Sequence, residues 1–292
     1  MRLRVAVGVV TVFALVAGLG VYLVLRQRDL GGPGPARACT VQADGTVFLD
    51  GHQMANAATI AAVGIRRGLP ERAIVVALAT AFQESRLQNL AGGDRDSIGL
   101  FQQRPSQGWG TPEQIRDPRY AAGKFYSELV KVKGWENMRV TEAAQRVQRS
   151  AFPEAYEQWA DESTVLTKAL LGDVTGAVAC TYRDDPRVWG AAAASALTHG
   201  LRLDWGEVDI PSPDGITGLA ELSGLPGLAL TVRDTRQGWQ YAHWLVSHAA
   251  AHGVKRVRYD GLEWTAKGGA WTRVPDGQQA SRTRVLAEVY TG

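Results

Sequence analysis

The sequence lacks a strong excess of charge of either sign. Its 292 residues carry 32 lysine and arginine side chains against 29 aspartate and glutamate side chains, a formal net charge of +3. This balance is too small to indicate a nucleic-acid partner. Internal repeats are also missing, and the one low-complexity tract is a short Gly/Pro stretch. With 45% hydrophobic and 21% charged residues, the chain should fold rather than stay disordered.

Charged residues are absent from the stretch Val5 to Leu25. A helix needs about 20 apolar residues to cross the hydrocarbon core of a membrane. A cleaved signal peptide is the alternative, but its apolar region usually runs about 7–15 residues before a small-residue cleavage site. We therefore predict an anchor at residues 1–28, with a short cytoplasmic N-terminus. Because positive charge is denser before the span, a single-pass cell-membrane protein with an extracytoplasmic body is expected.

Cysteine is scarce, with only Cys39 and Cys180 in the chain. An even pair in an extracytoplasmic protein is most simply one disulfide, and two unrelated buried thiols are the alternative. A disulfide between Cys39 and Cys180 would close a long loop, for which the chain-entropy model gives a stabilisation of about 4–5 kcal/mol. Residues 29–39, which include the Gly/Pro stretch Asp29 to Ala38, are predicted to link the anchor to the folded body.

Hydrophobic periodicity divides the remaining chain into two parts. Helical patterns and caps dominate residues 40–180, where one segment, 71–85, is apolar on all sides and is predicted to be a central buried helix. In residues 181–292, Leu228 to Asp234 and Val254 to Trp264 alternate like half-buried strands and flank an amphipathic helix. The predicted fold class is α+β: a transmembrane helix, a mainly α domain at 40–180, and a small α+β domain at 181–292.

Glu84 stands two residues after the end of the uncharged run Ala73 to Phe82. A carboxyl group at the end of a buried helix that faces a cleft loses solvation in its charged form, which favours the protonated acid. A protonated carboxylic acid is what glycoside cleavage requires of a proton donor. The alternative is an ordinary helix-end glutamate exposed in a turn.

The polar, glycine-bent and aromatic stretch after Glu84 suits hydrogen bonding to a sugar and stacking on it. Glu84-Ser85 followed by Gly99 to Gln102, "GLFQ", resembles the Glu-Ser … Gly-Leu-Met-Gln signature of soluble lytic transglycosylases, which have the lysozyme fold. "TEAAQRVQRSAFP" resembles that family's Ala-Ala-Tyr-Asn-Ala-Gly segment, and the resemblance covers about residues 50–160. "GDRDSIGLFQQRPSQGWG" is also similar to an extracytoplasmic lysozyme-like family of GC-rich Gram-positive bacteria. Residues 243–266 resemble an accessory module, of unknown role, found beside wall-associated domains.

This resemblance implies roles for individual residues. Glu84 matches the catalytic acid, and Gln145 stands where the family has a tyrosine that bonds this acid. Arg104 replaces an apolar residue, and near Glu84 it would favour the ionised carboxylate. The side chains predicted to bind substrate or to orient the acid are Ser85, Asn89, Gln102, Gln103, Trp109 and Gln145.

A second carboxylate would be needed to activate water in an inverting hydrolase. Asp94 and Asp96 lie in the loop where such a base could sit, although a turn held by Asx hydrogen bonds is the favoured interpretation. Without such a base, the resemblance implies intramolecular attack by the 6-hydroxyl of the sugar. Neither route needs a metal or a cofactor, so none is predicted.

Other candidate sites are weaker. His248 and His252 stand four residues apart as a possible metal pair, but no third ligand is obvious, and solvated helix histidines are favoured. Five aromatic residues of the C-terminal part could stack on a glycan, although a core role explains them better; they are Trp239, Tyr241, Trp244, Trp264 and Trp271.

The sequence thus predicts a glycan-cleaving enzyme of the lytic transglycosylase or muramidase type, acting on peptidoglycan. Its expected partners are the glycan strands and, through the anchor, the membrane. The main alternative is a non-catalytic lysozyme-fold module for wall binding or envelope assembly. A transporter component is disfavoured because one span cannot form a conducting path.

Overall fold

The chain is known from a computed structural model that describes residues 37–150, 152, 154–182, 186–211, 226–274 and 282–291. The predicted anchor, and the predicted linker up to residue 36, lie outside these residues. Among the described residues, no helix is both long enough and apolar enough to cross a membrane.

The described residues form nine α-helices and two β-sheets, so the predicted α+β class is confirmed. Single turns of 3-10 helix at Pro105–Gln107, Trp135–Asn137 and Glu157–Trp159 connect some of them. The α-helices are α1 Gly51–Arg66, α2 Glu71–Ser85, α3 Pro112–Arg116, α4 Pro118–Leu129, α5 Val140–Gln148, α6 Ala160–Leu170, α7 Gly190–Trp205, α8 Thr235–Ser247 and α9 Ala249–His252.

Helix α2 matches the predicted range 71–85 at both ends. It begins after Pro70, at a position where a missing backbone N–H costs nothing. Every residue from Ala73 to Phe82 is buried, which confirms the predicted central helix. This burial brings Glu84, at the other end of α2, to the edge of the core.

The first sheet has three antiparallel strands in the order β2-β1-β3: β1 Arg37–Gln42, β2 Thr46–Asp50 and β3 Val178–Tyr182. Cys39 on β1 lies opposite Cys180 on β3, and the two form the predicted disulfide. The helical pattern of residues 40–180 did not predict these strands. Strands β1 and β2 form a short hairpin. The pairing of β1 with β3 joins segments about 140 residues apart, which no local pattern reports.

The second sheet has five antiparallel strands in the order β4-β8-β5-β6-β7: β4 Gly227–Thr231, β5 Val254–Tyr259, β6 Leu262–Thr265, β7 Trp271–Arg273 and β8 Arg284–Val289. The single strand predicted at Val254 to Trp264 is wrong, because β5 and β6 form a hairpin. Asp260 and Gly261 both have positive φ, 48° and 73°, the backbone required by a two-residue type I′ turn. The predicted β-α-β unit is present, with β8 between its two strands.

One hydrophobic core serves both parts of the described chain. Helix α1 packs against α4 on one side and against α7 and α8 from the C-terminal part, and the described residues from 37 onward belong to one compact unit. The predicted boundary between residues 180 and 181 falls inside β3.

A buried ion pair joins the same helices. Asp204 of α7 is completely buried, and its Oδ1 lies 2.5 Å from Nε of Arg119 at the start of α4. Oδ2 of Asp204 accepts hydrogen bonds from Thr59 of α1 at 2.9 Å and from the Trp244 indole of α8 at 2.7 Å. His248 completes the cluster through a 3.2 Å contact with the Thr59 hydroxyl.

The expectation that His248 is solvated is therefore wrong. Burial lowers the pKa of this imidazole, and its ring stacks on that of Trp244. Among the described residues, no group of three His, Cys, Asp or Glu side chains is placed to hold a metal ion.

The aromatic residues of the C-terminal part serve mainly as core, as expected. Trp239, Tyr241, Trp244 and Trp264 are buried. The indole of Trp264 donates to the carbonyl of Cys180 at 3.0 Å, and that of Trp271 donates to the carbonyl of Val178 at 2.8 Å. Both bonds fix the second sheet to β3.

Candidate functional site

Glu84 is half-buried on the last turn of α2. The helix is followed by Arg86 and Leu87, two consecutive residues in the left-handed region, with φ of 55° and 59°. A side chain at such a position is strained, and strain of this kind persists only where the surroundings fix the backbone. Complete burial of Leu87 provides that constraint. The acid therefore stands at a helix end of defined geometry.

Two side chains donate hydrogen bonds to the same oxygen of Glu84. The Tyr156 hydroxyl lies 2.7 Å from Oε1, and Nε2 of Gln148 lies 3.0 Å from it. Burial, and then the charge of Glu84, raise the pKa of Tyr156, so this hydroxyl keeps its proton and remains a donor. Among the described residues, none hydrogen-bonds to Oε2 and no cation forms an ion pair with Glu84.

The position of Tyr156 is fixed by the 3-10 helix that follows it. The Trp159 ring stacks on Phe82 with centroids 5.2 Å apart, and its indole donates to Oε1 of Gln83 at 2.9 Å. The guanidinium of Arg86 lies 4.1 Å from the centroid of the same ring. Contacts with Phe82, Gln83 and Arg86 thus hold Trp159 in place, so this indole supports the site.

Gln148 links Glu84 to the loop that follows α2. Besides Glu84, its amide donates to the carbonyl of Phe101 at 2.8 Å. Ser85, predicted to orient the acid, is buried and donates to the carbonyls of Ala81 and Leu100, at 3.0 and 2.8 Å. Ser85 therefore ties the end of α2 to the loop and acts on Glu84 through the backbone.

The other predicted side chains of this loop are placed as follows. Asn89 is exposed and donates to the carbonyl of Arg116 at 2.7 Å. Gln102, with φ of 45°, donates to the carbonyl of Gly99 at 3.1 Å. Gln103 is buried and donates to the carbonyl of Ala121 at 3.1 Å. These three amides hold the loop in place, and no ligand-binding role is needed to account for their hydrogen bonds.

Gln145 does not occupy the position expected from the resemblance. Its amide donates to the carbonyl of Ser150 at 2.6 Å, whereas Gln148 and Tyr156 supply the bonds to Glu84. Tyr156 lies eleven residues further along the chain and restores a phenol donor to the acid. The sequence does contain a signal for this contact. Tyr156 stands among polar residues after α5, and a buried tyrosine hydroxyl usually needs a hydrogen-bond partner.

The acidic residues of the loop are not arranged as a second catalytic group. Asp96 accepts from Nε of Arg104 at 2.7 Å and from the backbone N–H of Ser106 at 2.8 Å. The hydrogen bond from Arg104, and then that from Ser106, hold the pKa of Asp96 well below its usual range. Asp94 is 89% exposed. Asp96 thus engages the guanidinium of Arg104 and holds the loop, whereas Asp94 faces solvent.

A groove of about 640 Å³ begins beside Gln148. The loop at Gln107 to Trp109, helix α4 and the end of α5 form its walls. Four of its side chains are cationic and one is a carboxylate: Lys124, Lys131, Arg146, Arg149 and Glu128. Trp109 is the predicted binding residue that lines it. Its volume lies within the range of about 300–1,000 Å³ typical of ligand sites, and Gln148 connects it to Glu84.

No protein-family model matches this sequence, and no curated protein is significantly similar to it. The resemblance to lytic transglycosylases therefore rests on the quoted residues alone.

Proposed function

We propose that this chain cleaves glycan strands of peptidoglycan, at the β-1,4 bond between MurNAc and GlcNAc, with Glu84 as the general acid. The observation that carries the proposal is the pair of donors on one oxygen of a half-buried carboxyl group. The alternative that Glu84 is an exposed turn residue does not explain two side chains held against it by the surrounding fold.

Two donors on Oε1 have a chemical consequence. In the protonated acid the carbonyl oxygen accepts hydrogen bonds and the other oxygen carries the proton. Occupation of Oε1 by Tyr156 and Gln148 therefore leaves Oε2 as the oxygen that holds the proton. Such an arrangement suits donation to the bridging oxygen of a glycoside.

The second half of the reaction needs a nucleophile at C1 of MurNAc. Because Asp96 is engaged by Arg104 and Asp94 is exposed, we favour attack by the 6-hydroxyl of the same sugar. The bond from C1 to the bridging oxygen breaks as Glu84 protonates that oxygen. A new bond forms from O6 to C1, and the carboxylate takes the hydroxyl proton, which regenerates the acid. The product is a 1,6-anhydro sugar.

The proposed location is the outer face of the cell membrane, where the glycan strands are. The uncharged stretch Val5 to Leu25 supports an anchor. The disulfide between Cys39 and Cys180 supports an oxidising compartment, since such bonds are rare in the cytosol.

Substitution of the acid tests the proposal. The full-length Glu84→Gln variant should release at least about 1,000-fold less soluble muropeptide from purified walls, because proton donation and its electrostatic support are both lost. Mass spectrometry of the products released by the unsubstituted protein should show anhydro ends.

Glu136→Gln is the matched control, because Glu136 is exposed on the 3-10 helix Trp135–Asn137. It should release muropeptides at the original rate. Undiminished release by the Glu84→Gln variant would eliminate Glu84 as the acid. Reducing ends in place of anhydro ends would establish hydrolysis, and a loop carboxylate would then be the candidate base. Wall binding without any release by the unsubstituted protein would identify a non-catalytic module.

A further inference from the structure

We propose that the groove beside Gln148 binds an anionic group carried by the glycan strand, a carboxylate or a phosphate, and so selects substituted strands over bare ones. This inference rests on the proposed function for its substrate class. Gln148 is the lining residue that also contacts the acid. The cations of the groove come from α4, from α5 and from the residues directly after these helices.

Charge is the first observation. The groove has an excess of three positive charges, which equals the formal net charge of the entire chain. Glu128, its single carboxylate, pairs with Lys131 at 2.6 Å. In the part of the chain that the structure describes, Lys124, Arg146 and Arg149 form no ion pair. A neutral glycan offers these cations no counter-charge.

The origin of these cations is the second observation. Arginines near the end of a helix are stabilised by its dipole, which accounts for Arg146 and Arg149 at the end of α5. It does not account for Lys124, which lies in the middle of α4 and lines the same groove. Arg149 also holds a left-handed backbone, with φ of 54°. Three cations from two helices therefore meet in one depression although they repel one another.

Position is the third observation. Gln148 contacts Oε1 of Glu84 and also lines the groove, so a strand with its scissile bond at Glu84 would have its neighbouring substituents near these cations. Strands of peptidoglycan carry anions of two kinds: carboxylates of the peptide stems and phosphates of attached polymers. Trp109, at the groove wall, offers an aromatic surface for a sugar.

The test measures binding of the full-length Glu84→Gln variant, in detergent, to three preparations of insoluble wall. One is intact, one is stripped of its carboxylate charge by conversion of the carboxyl groups to amides with a carbodiimide and ammonia, and one is stripped of phosphate polymers by hydrofluoric acid. We expect roughly 3- to 30-fold weaker binding to at least one stripped preparation than to intact wall. This difference in affinity should shrink as the salt concentration is raised. Weaker binding after amidation identifies the carboxylate, and weaker binding after acid treatment identifies the phosphate.

Charge-neutralising variants connect this selectivity to the groove. Arg146→Gln with Arg149→Gln should bind intact walls as weakly as stripped ones, and Lys124→Gln, on the other helix, should lose part of the same affinity. The matched control is Arg202→Gln with Arg273→Gln, two exposed arginines outside the groove, which should retain selectivity.

Equal binding to all three preparations would overturn the inference, as would a groove variant that behaves like the control. A different result would contradict the proposed function: the unsubstituted protein would release no muropeptides. Binding in the Glu84→Gln background does not depend on that release.

Discussion

At the scale of single residues, the hydroxyl of Tyr156 is the contact that most directly concerns the acid. The ring is fully buried, so its packing should survive loss of the oxygen. What changes is the hydrogen bond to Oε1 of Glu84, and hydrogen bonds to charged groups contribute about 1.5–3 kcal/mol.

We expect the Tyr156→Phe variant to lower kcat for muropeptide release by roughly 10- to 100-fold with little change in KM. A bond to the acid should affect the chemical step more than strand binding. Tyr126→Phe is the matched control, because Tyr126 is equally buried and donates to the carbonyl of Ile60 at 3.0 Å. It should lose about 1 kcal/mol of folding stability and keep kcat. An equal loss of kcat in both variants would contradict a specific role for Tyr156.

At the scale of secondary-structure elements, the hairpin of β5 and β6 shows how two residues set a turn. Asp-Gly with positive φ at both positions matches the twist of the flanking strands. Between two alternating segments, this dipeptide indicated a turn, and the prediction of one continuous strand overlooked it. Alternation continues through a tight hairpin, so periodicity alone cannot reveal the reversal.

The turn provides a direct test of this account. Gly261→Ala should destabilise the protein by about 1 kcal/mol, because a Cβ atom strains the backbone at φ of 73° although it would meet no neighbouring atom. Gly92→Ala is the control, since that glycine also has open space around it and no positive φ. Chemical denaturation should show a change within about 0.5 kcal/mol for the control. An equal loss of stability in both variants would show that backbone strain at Gly261 is not the cause.

At the scale of the whole molecule, Asp204 connects helices from both parts of the chain. It contacts Arg119 of α4, Thr59 of α1 and Trp244 of α8. Removal of one partner from a buried ion pair leaves the other charge uncompensated, which typically costs about 3–5 kcal/mol. This cluster makes the core of the N-terminal part depend on the C-terminal part.

Accordingly, Asp204→Asn should lower the free energy of unfolding by about 3 kcal/mol, in a single transition for both parts of the chain. Asp209→Asn, at an exposed aspartate, should change it by less than about 0.5 kcal/mol. Denaturation followed by tryptophan fluorescence and by circular dichroism would measure both variants. Two separate transitions in the unsubstituted protein would contradict the shared core.

The sequence by itself determined the features that depend on neighbours within a few turns of chain. The uncharged run and its flanking Pro70 predicted α2 from residue 71 to residue 85, and hence the position of Glu84 at a helix end. The two cysteines predicted their disulfide because no other partner was available. The anchor at residues 1–28 remains a prediction of the sequence.

Only the tertiary structure decided which groups surround Glu84. Gln148 and Tyr156 lie 64 and 72 residues away along the chain, and Trp244 and Thr59 lie 40 and 145 residues away from Asp204. The assignment of Gln145 failed because side chains three residues apart on a helix differ in the neighbours they meet. Local patterns report burial and periodicity, whereas hydrogen-bond partners depend on how distant elements pack.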